Sequence, residues 1–274
     1  MELNLKDCAR FQDDQVGLQK YIKVLRNEPF NLSEDHLIRV RIIKLNEEEH
    51  VLLIVLHHIV SDAWSKSILV KEVAELYKSY IEKRPARLPN LPIQYAAFAV
   101  WQRNYLQGEI LEKKINYWKQ KLSNTAALNL PTDFLRPTIL SNNGATLHFK
   151  ISKDISSGLQ TISAKSGATS FMTILAGLQV LLHRYSGQED ICVGTPIAGR
   201  QQPEVEGLIG FFINTLALRS EFSGDKSFTE LLEQVRSTTM EAYDHQDVPF
   251  EKIVETVAKE RELRRNPLFQ VYLC

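Results

Sequence analysis

Cysteine is scarce in this chain. Three cysteines stand among 274 residues, Cys8, Cys192 and Cys274, odd in number, far apart and without a CxxC pair. That argues against a disulfide framework and structural zinc, and for a reduced, cytoplasmic setting. Net charge is lacking too: 33 Lys and Arg balance 33 Asp and Glu. Nothing in this balance recommends nucleic acid or an anionic membrane as a partner. No apolar run approaches the roughly 20 residues that a membrane-spanning helix needs. The opening MELNLKDCAR is charged, so no secretory signal is visible, and there is no internal repeat or low-complexity tract. What the chain does have is apolar content, 44% of its residues, enough for full cores in about two domains.

The most informative stretch is Val51–Tyr80. Val51 to Leu56 is an unbroken apolar run, which predicts a strand buried on both faces at the centre of a sheet. His57 and His58 follow at once, and Asp62 precedes a helical pattern of Ile68, Leu69, Val73, Leu76, Tyr77 and Tyr80. Steps of three and four put those residues on one apolar face. Asp62 suits the N-cap and the positive end of the helix dipole. Neighbours on an extended chain point to opposite faces, so only one of the two histidines can project into a given cleft. A histidine at the mouth of a central strand is placed for chemistry. Polar residues that merely end a strand explain the pair as well, and Asp62 leaves both readings open. A metal site with His58 and Asp62 as ligands lacks a nearby third ligand, so no metal is expected.

The rest of the chain alternates between helices and strands. A modest amphipathic helix covers about Asp13 to Asn27 and ends at Pro29. Leu37 to Leu45 alternates, with Ile38, Val40 and Ile42 on the apolar side and Arg39 and Arg41 on the wet one, and pairs with Val51–Leu56 as a hairpin. Proline-bounded Leu130–Pro137 reads as a boundary. Beyond it come a strand near Thr146–Ile151, a short helix capped by Asp154, and a buried helix over Phe171–Tyr185 capped by Thr169 or Ser170 and ended by Gly187. Ile191–Thr195 and Gly210–Arg219 read as strands, Ser227 and Glu230 as a capping box, and Pro267–Leu273 as a last strand-like run.

Several segments, in order, resemble the motifs of condensation domains of nonribosomal peptide synthetases, within the chloramphenicol acetyltransferase-like superfamily. His57–Ser65 resembles the HHxxxDG core. Glu28–Ser33 is similar to a PFDLS segment with Asn31 for Asp, Ile93–Trp101 to YxDYAxWQ with Ala97 for Asp, and Leu130–Pro137 to an LPTDRPRP linker. Gly194–Arg200, Ile209–Arg219, His245–Glu251 and Asn266–Gln270 resemble VGTPIAGR, IGFFVNTLxLR, HQDxPFE and RNPLFQ.

The resemblance implies an α/β fold of two acyltransferase-like subdomains, mixed sheets flanked by helices, in a V-shaped pseudodimer with the site in a tunnel between them. It implies residues 1–130 as the first subdomain, 131–145 as linker and 146–274 as the second, incomplete at both termini. It implies amide formation between a carrier-bound aminoacyl or peptidyl thioester donor and the amine of a carrier-bound aminoacyl acceptor. No cofactor is bound directly; substrates ride on the 4'-phosphopantetheine of upstream and downstream carrier proteins, beside an adenylation domain. By motif position His58 would face the acceptor amine, and an imidazole of pKa roughly 6.5 can accept a proton at cellular pH, which makes it a candidate general base. His57 would face inward. Asp62 would pair with an arginine from a segment upstream of Met1. The helix start would offer backbone N–H groups to the oxyanion, and Ala63, Trp64, Ser65 and Asn214 would meet substrate. Ala63 stands where glycine is usual, at little cost if its φ is negative and with strain if positive. Alternatives are a non-catalytic relative or remnant that binds carrier proteins, and an acyltransferase using free coenzyme A.

Overall fold

A computed structural model of the chain describes residues 4–134, 143–222, 226–258 and 266–274. In order these form β1 (Asn4–Asp7), a 3-10 turn (Ala9–Phe11), α1 (Gln15–Arg26), β2 (Ile38–Lys44), β3 (His50–Leu56), a second 3-10 turn (His58–Val60), α2 (Ala63–Ile81), α3 (Tyr95–Tyr105) and α4 (Gly108–Leu122). Then follow α5 (Lys153–Lys165), α6 (Ser170–Ser186), β4 (Asp190–Ile197), α7 (Pro203–Glu206), β5 (Asn214–Glu221), α8 (Phe228–Asp244) and α9 (Phe250–Val257). The mixed α/β class is the one expected.

Two compact units emerge: residues up to Phe98 with Arg200–Phe212, and Ala99–Gly199 with Ile213–Cys274. They divide the chain differently from the expected 1–130 and 146–274. The apolar residues of α4 explain part of the difference, because Trp118 and Leu122 are buried in one cluster with Leu175, Val193 and Leu232 of the second unit. The linker expected over 131–145 lies, for 135–142, outside the described residues.

The first unit holds a three-stranded sheet in the order β1-β2-β3, with β1 parallel and β3 antiparallel to β2. The expected hairpin is present, running from Ile38 opposite Leu56 to Lys44 opposite His50. Its turn is closed by the Asn46 side chain, which accepts from the N–H groups of Glu48 and Glu49.

Two details differ from the sequence reading. Among the described residues β3 is an edge strand, and Leu52 is 47% exposed. An apolar run reports that neither face is strongly polar, and carries no information about how many strands lie alongside. On β2 the fully buried residue is Ile43, which joins Leu45, Cys8, Leu18 and Leu25. It shares its face with Arg39 and Arg41, and Ile38, Val40 and Ile42 are half-buried. The arginines fit there because their heads find carboxylates, Arg39 with Asp35 at 2.8 Å and Arg41 with Glu28 at 2.7 Å, while their stems cover apolar surface.

The apolar face predicted for α2 is half-covered at Ile68, Leu69 and Val73 and open further on, with Tyr77 70% and Tyr80 82% exposed. Periodicity marks a face suited to burial; what covers it is a tertiary matter.

The second unit is built on β4 and β5, antiparallel from Asp190 opposite Glu221 to Ile197 opposite Asn214. Leu175, Ile191, Val193, Leu216 and Leu232 are fully buried against them. Thr169 caps α6 by accepting from Met172 N–H, and Gly187 ends it at φ 69°. The Ser227–Glu230 capping box opens α8 as expected. Four readings are corrected. Ser152, not Asp154, caps α5. β5 starts at Asn214, not Gly210. α6 keeps an open flank, at Leu181 and Tyr185. No strand forms at Thr146–Ile151, where Leu147 and Phe149 are exposed, because alternation without a neighbouring strand leaves the ladder unpaired. The terminal run gains only an isolated bridge, Gly194 to Tyr272. Among the described residues no single helix is long and apolar enough to cross a membrane.

This burial pattern sets a contrast that urea unfolding can read. Leu175→Ala, fully buried in α6, should cost about 2–5 kcal/mol. Tyr80→Ala, on the open face of α2, should change stability by no more than about 0.5 kcal/mol.

Candidate active site

β3 ends at Leu56, and the chain turns through the short 3-10 segment into α2. That turn separates the two histidines. His57 is half-buried; its Nδ1 accepts from Ile59 N–H at 3.2 Å, and its ring meets Phe30 edge-on at 5.7 Å between centroids. His58 is exposed, with Nδ1 2.8 Å from the carbonyl oxygen of Ser61. A carbonyl only accepts, so Nδ1 carries the proton, and in the neutral ring Nε2 holds the free lone pair.

Asp62 is buried and caps α2. Its Oδ1 accepts from Ser65 N–H at 2.8 Å, and its Oδ2 from Phe212 N–H at 3.1 Å. The guanidinium of Arg200 lies 3.4 Å away, with both side chains almost wholly out of solvent. Burial works to raise the carboxyl's pKa, but the Ser65 and Phe212 hydrogen bonds and Arg200 outweigh it and hold it below the usual carboxylate range. Burial draws the Arg200 pKa down, and Asp62 opposes it.

Arg200 also donates to the carbonyls of Val205 and Leu208, closing its own loop, and its guanidinium lies 4.0 Å over the Phe212 ring. Its Nε is buried without a hydrogen-bond acceptor among the described residues. Among the described residues the partner of Asp62 is Arg200, 138 residues along the chain, where the expectation was an arginine upstream of Met1. A signal was present: a single arginine closing the small and apolar Gly194–Arg200 segment.

Ser65, expected to meet substrate, is fully buried. Its Oγ lies within reach of Asp62 Oδ1 and the Gly210 carbonyl, and accepts from Gly210 N–H and Arg200 Nη2, both at 3.0 Å. It is a joint between α2 and the 200–212 segment. Asn214 is likewise occupied, inside the second unit: its Nδ2 donates to the carbonyls of Gln246 and Val248, and its Oδ1 accepts from Phe250 N–H. Trp64 is 47% exposed and donates from Nε1 to the Glu206 carbonyl at 2.9 Å. Ala63 is exposed as the first residue of α2, outside the left-handed region, so its methyl brings no backbone strain.

Phe211 was not singled out by sequence reasoning. Its ring, 37% exposed, stands edge-on to His58 at 5.5 Å between centroids. Tyr95 donates from its hydroxyl to the Phe211 carbonyl at 2.8 Å, and burial first, then Asp62, pushes the Tyr95 phenol up and keeps it protonated. Gly210 has no room for a side chain, since a Cβ there would stand 2.2 Å from the Tyr95 ring.

A family model for the condensation domain matches residues 1–274. The chain belongs to the condensation-domain family of nonribosomal peptide synthetases. Malpibaldin synthetase of Mortierella alpina is 44% identical over 266 residues, covering 97% of this chain and 5% of that protein. Chondramide synthase cmdD of Chondromyces crocatus is 40% identical over 275 residues, covering 100% of this chain and 7% of that protein. Among solved structures, the teicoplanin X-domain in complex with OxyB superposes at a TM-score of 0.89 with 28% identity, covering 99% of this chain and 60% of that one. This condensation domain therefore spans only a small part of the synthetases it matches.

The buried pair makes two stability predictions. Arg200→Ala leaves Asp62 buried without its cation, and should cost about 3–5 kcal/mol in denaturant unfolding. The folded Asp62 pKa is depressed, so the native state binds fewer protons than the unfolded chain around the carboxylate range. The stabilisation from Asp62 is present above about pH 3.9, the unfolded value, and is lost as pH falls through the folded pKa. The difference in Tm between the wild type and Asp62→Asn should therefore be largest near neutrality and shrink on acidification.

Proposed function

We propose that this condensation domain forms an amide bond between a carrier-bound aminoacyl or peptidyl thioester and the amine of a carrier-bound aminoacyl acceptor. The observation that carries the reading is His58: exposed, in the short turn that leads from β3 into α2, with Nδ1 committed to the Ser61 carbonyl and Nε2 left to take a proton. The amine attacks the thioester carbonyl; the C–N bond forms, the C–S bond breaks, and the amine proton passes by way of Nε2 to the leaving thiolate. Two tethered reactants need little more than orientation, so holding the amine contributes alongside general-base action. The positive end of the α2 dipole favours the developing oxyanion.

The partners in this reading are upstream and downstream carrier proteins, with substrates on 4'-phosphopantetheine arms, and an adjacent adenylation domain, in the cytoplasm. A second reading, a module that binds partner proteins without catalysis, is favoured by two observations: Ala63 in place of the usual glycine, and the likeness to an X-domain solved with OxyB.

Mass spectrometry of the downstream carrier, after both loaded carriers are mixed with the domain, separates the two. Amide product that falls at least about 100-fold in His58→Ala supports condensation. Equal product from His58→Ala overturns the role given to His58, and binding of carriers with no product supports the second reading.

A further inference from the structure

The buried network around Asp62 has an output that its own residues do not display. Gly210, Phe211 and Phe212 are each held by a different anchor: Gly210 N–H by Ser65 Oγ at 3.0 Å, the Phe211 carbonyl by the Tyr95 hydroxyl at 2.8 Å, and Phe212 N–H by Asp62 at 3.1 Å. Phe212 turns inward beneath the Arg200 guanidinium, at 6% exposure. Gly210 is filled by the Tyr95 ring. Between two inward positions Phe211 points the other way, at 37% exposure, and its ring meets the His58 imidazole at 5.5 Å with 78° between the planes. A segment from the far end of the unit's sequence is thus fixed at three consecutive residues, and the side chain it leaves outside is the neighbour of the exposed histidine.

We propose that Phe211 is a positioning and specificity-determining residue for the His58 site: its ring fixes the plane of the imidazole and limits the size of the side chain that an acceptor aminoacyl group can place beside it. The inference rests on the reading of His58 as the residue that meets the acceptor amine. Two physical consequences follow. Among the described residues the imidazole has one hydrogen bond, at Nδ1, which leaves rotation about that bond to be restrained by packing; an edge-to-face aromatic contact supplies that restraint. An aromatic ring beside the reacting nitrogen also occupies space that a large acceptor side chain would need. Packing discriminates on a scale of about 10-fold or more for a few methylene groups.

The test uses the full chain and needs no turnover. Non-hydrolysable aminoacyl pantetheine analogues carrying glycine, leucine and tryptophan are titrated into the wild type and Phe211→Ala, with the His58 ring proton signals followed by NMR. In the wild type the glycine analogue should bind more tightly than the tryptophan one, and Phe211→Ala should narrow that ratio by about 10-fold. The same substitution should shift the His58 ring protons through loss of the aromatic ring current, with Tm nearly unchanged because Phe211 is partly exposed. Phe211→Leu, which restores bulk without a ring, should recover the size preference and not the ring-current shift.

An unchanged ratio, or no binding of any analogue to the wild type, overturns the proposal. If the ratio narrows while His58→Ala still forms amide at the wild-type rate, Phe211 keeps its assigned role and the catalytic reading of His58 falls. If amide formation depends on His58 and the ratio stays fixed, the reverse holds.

Discussion

Two charged groups taken out of water together must satisfy each other and every remaining hydrogen-bonding atom, or the fold that buries them is lost. Asp62 and Arg200 meet most of that demand inside the first unit. The carboxylate takes backbone N–H groups from Ser65 and Phe212, and the guanidinium gives to the carbonyls of Val205 and Leu208. The pair ties a helix start to a segment 138 residues away. The 200–212 segment therefore belongs with the hairpin and α2, although its flanking strands β4 and β5 belong to the other unit.

The same constraint occupies the carboxylate of Asp62, although it adjoins the histidines in sequence. Its oxygens are taken up by the helix cap, by Phe212 and by Arg200. It acts at a distance, by setting the start of α2 and the course of residues 210–212, and with them the surroundings of His58. The histidine keeps its own orientation through a short local bond to the Ser61 carbonyl. Local geometry fixes the imidazole's tautomer, and the long-range pair fixes its neighbour.

Legibility in the sequence followed the range of the interactions. The N-caps at Asp62, Thr169 and Ser227 were readable because a cap involves residues three positions apart. The hairpin was readable from two apolar runs and a polar turn. β3 was misjudged as central, and the apolar face of α2 is partly open, since an apolar stripe does not name what lies against it. The buried face of β2 was misassigned for a related reason: arginines beside Ile43 suggested solvent, whereas Glu28 and Asp35 pair with them across a loop. Ser65 and Asn214 were motif residues whose polar atoms could serve substrate or the fold, and only their partners decide which.

The sequence by itself determined the α/β class, the order of most helices and strands, and the family, because an ordered series of short motifs survives as a pattern in one dimension. It also placed His58 at the end of a strand and Asp62 at the start of a helix, through periodicity and capping chemistry that act within a few residues. The choice of Arg200 as the partner of Asp62, the withdrawal of Ser65 into the interior and the placement of Phe211 against His58 were decided by tertiary structure. Each depends on groups about 135 to 155 residues apart being brought within a few ångströms, and the electrostatic and packing energies that select such contacts have no local signature in the chain.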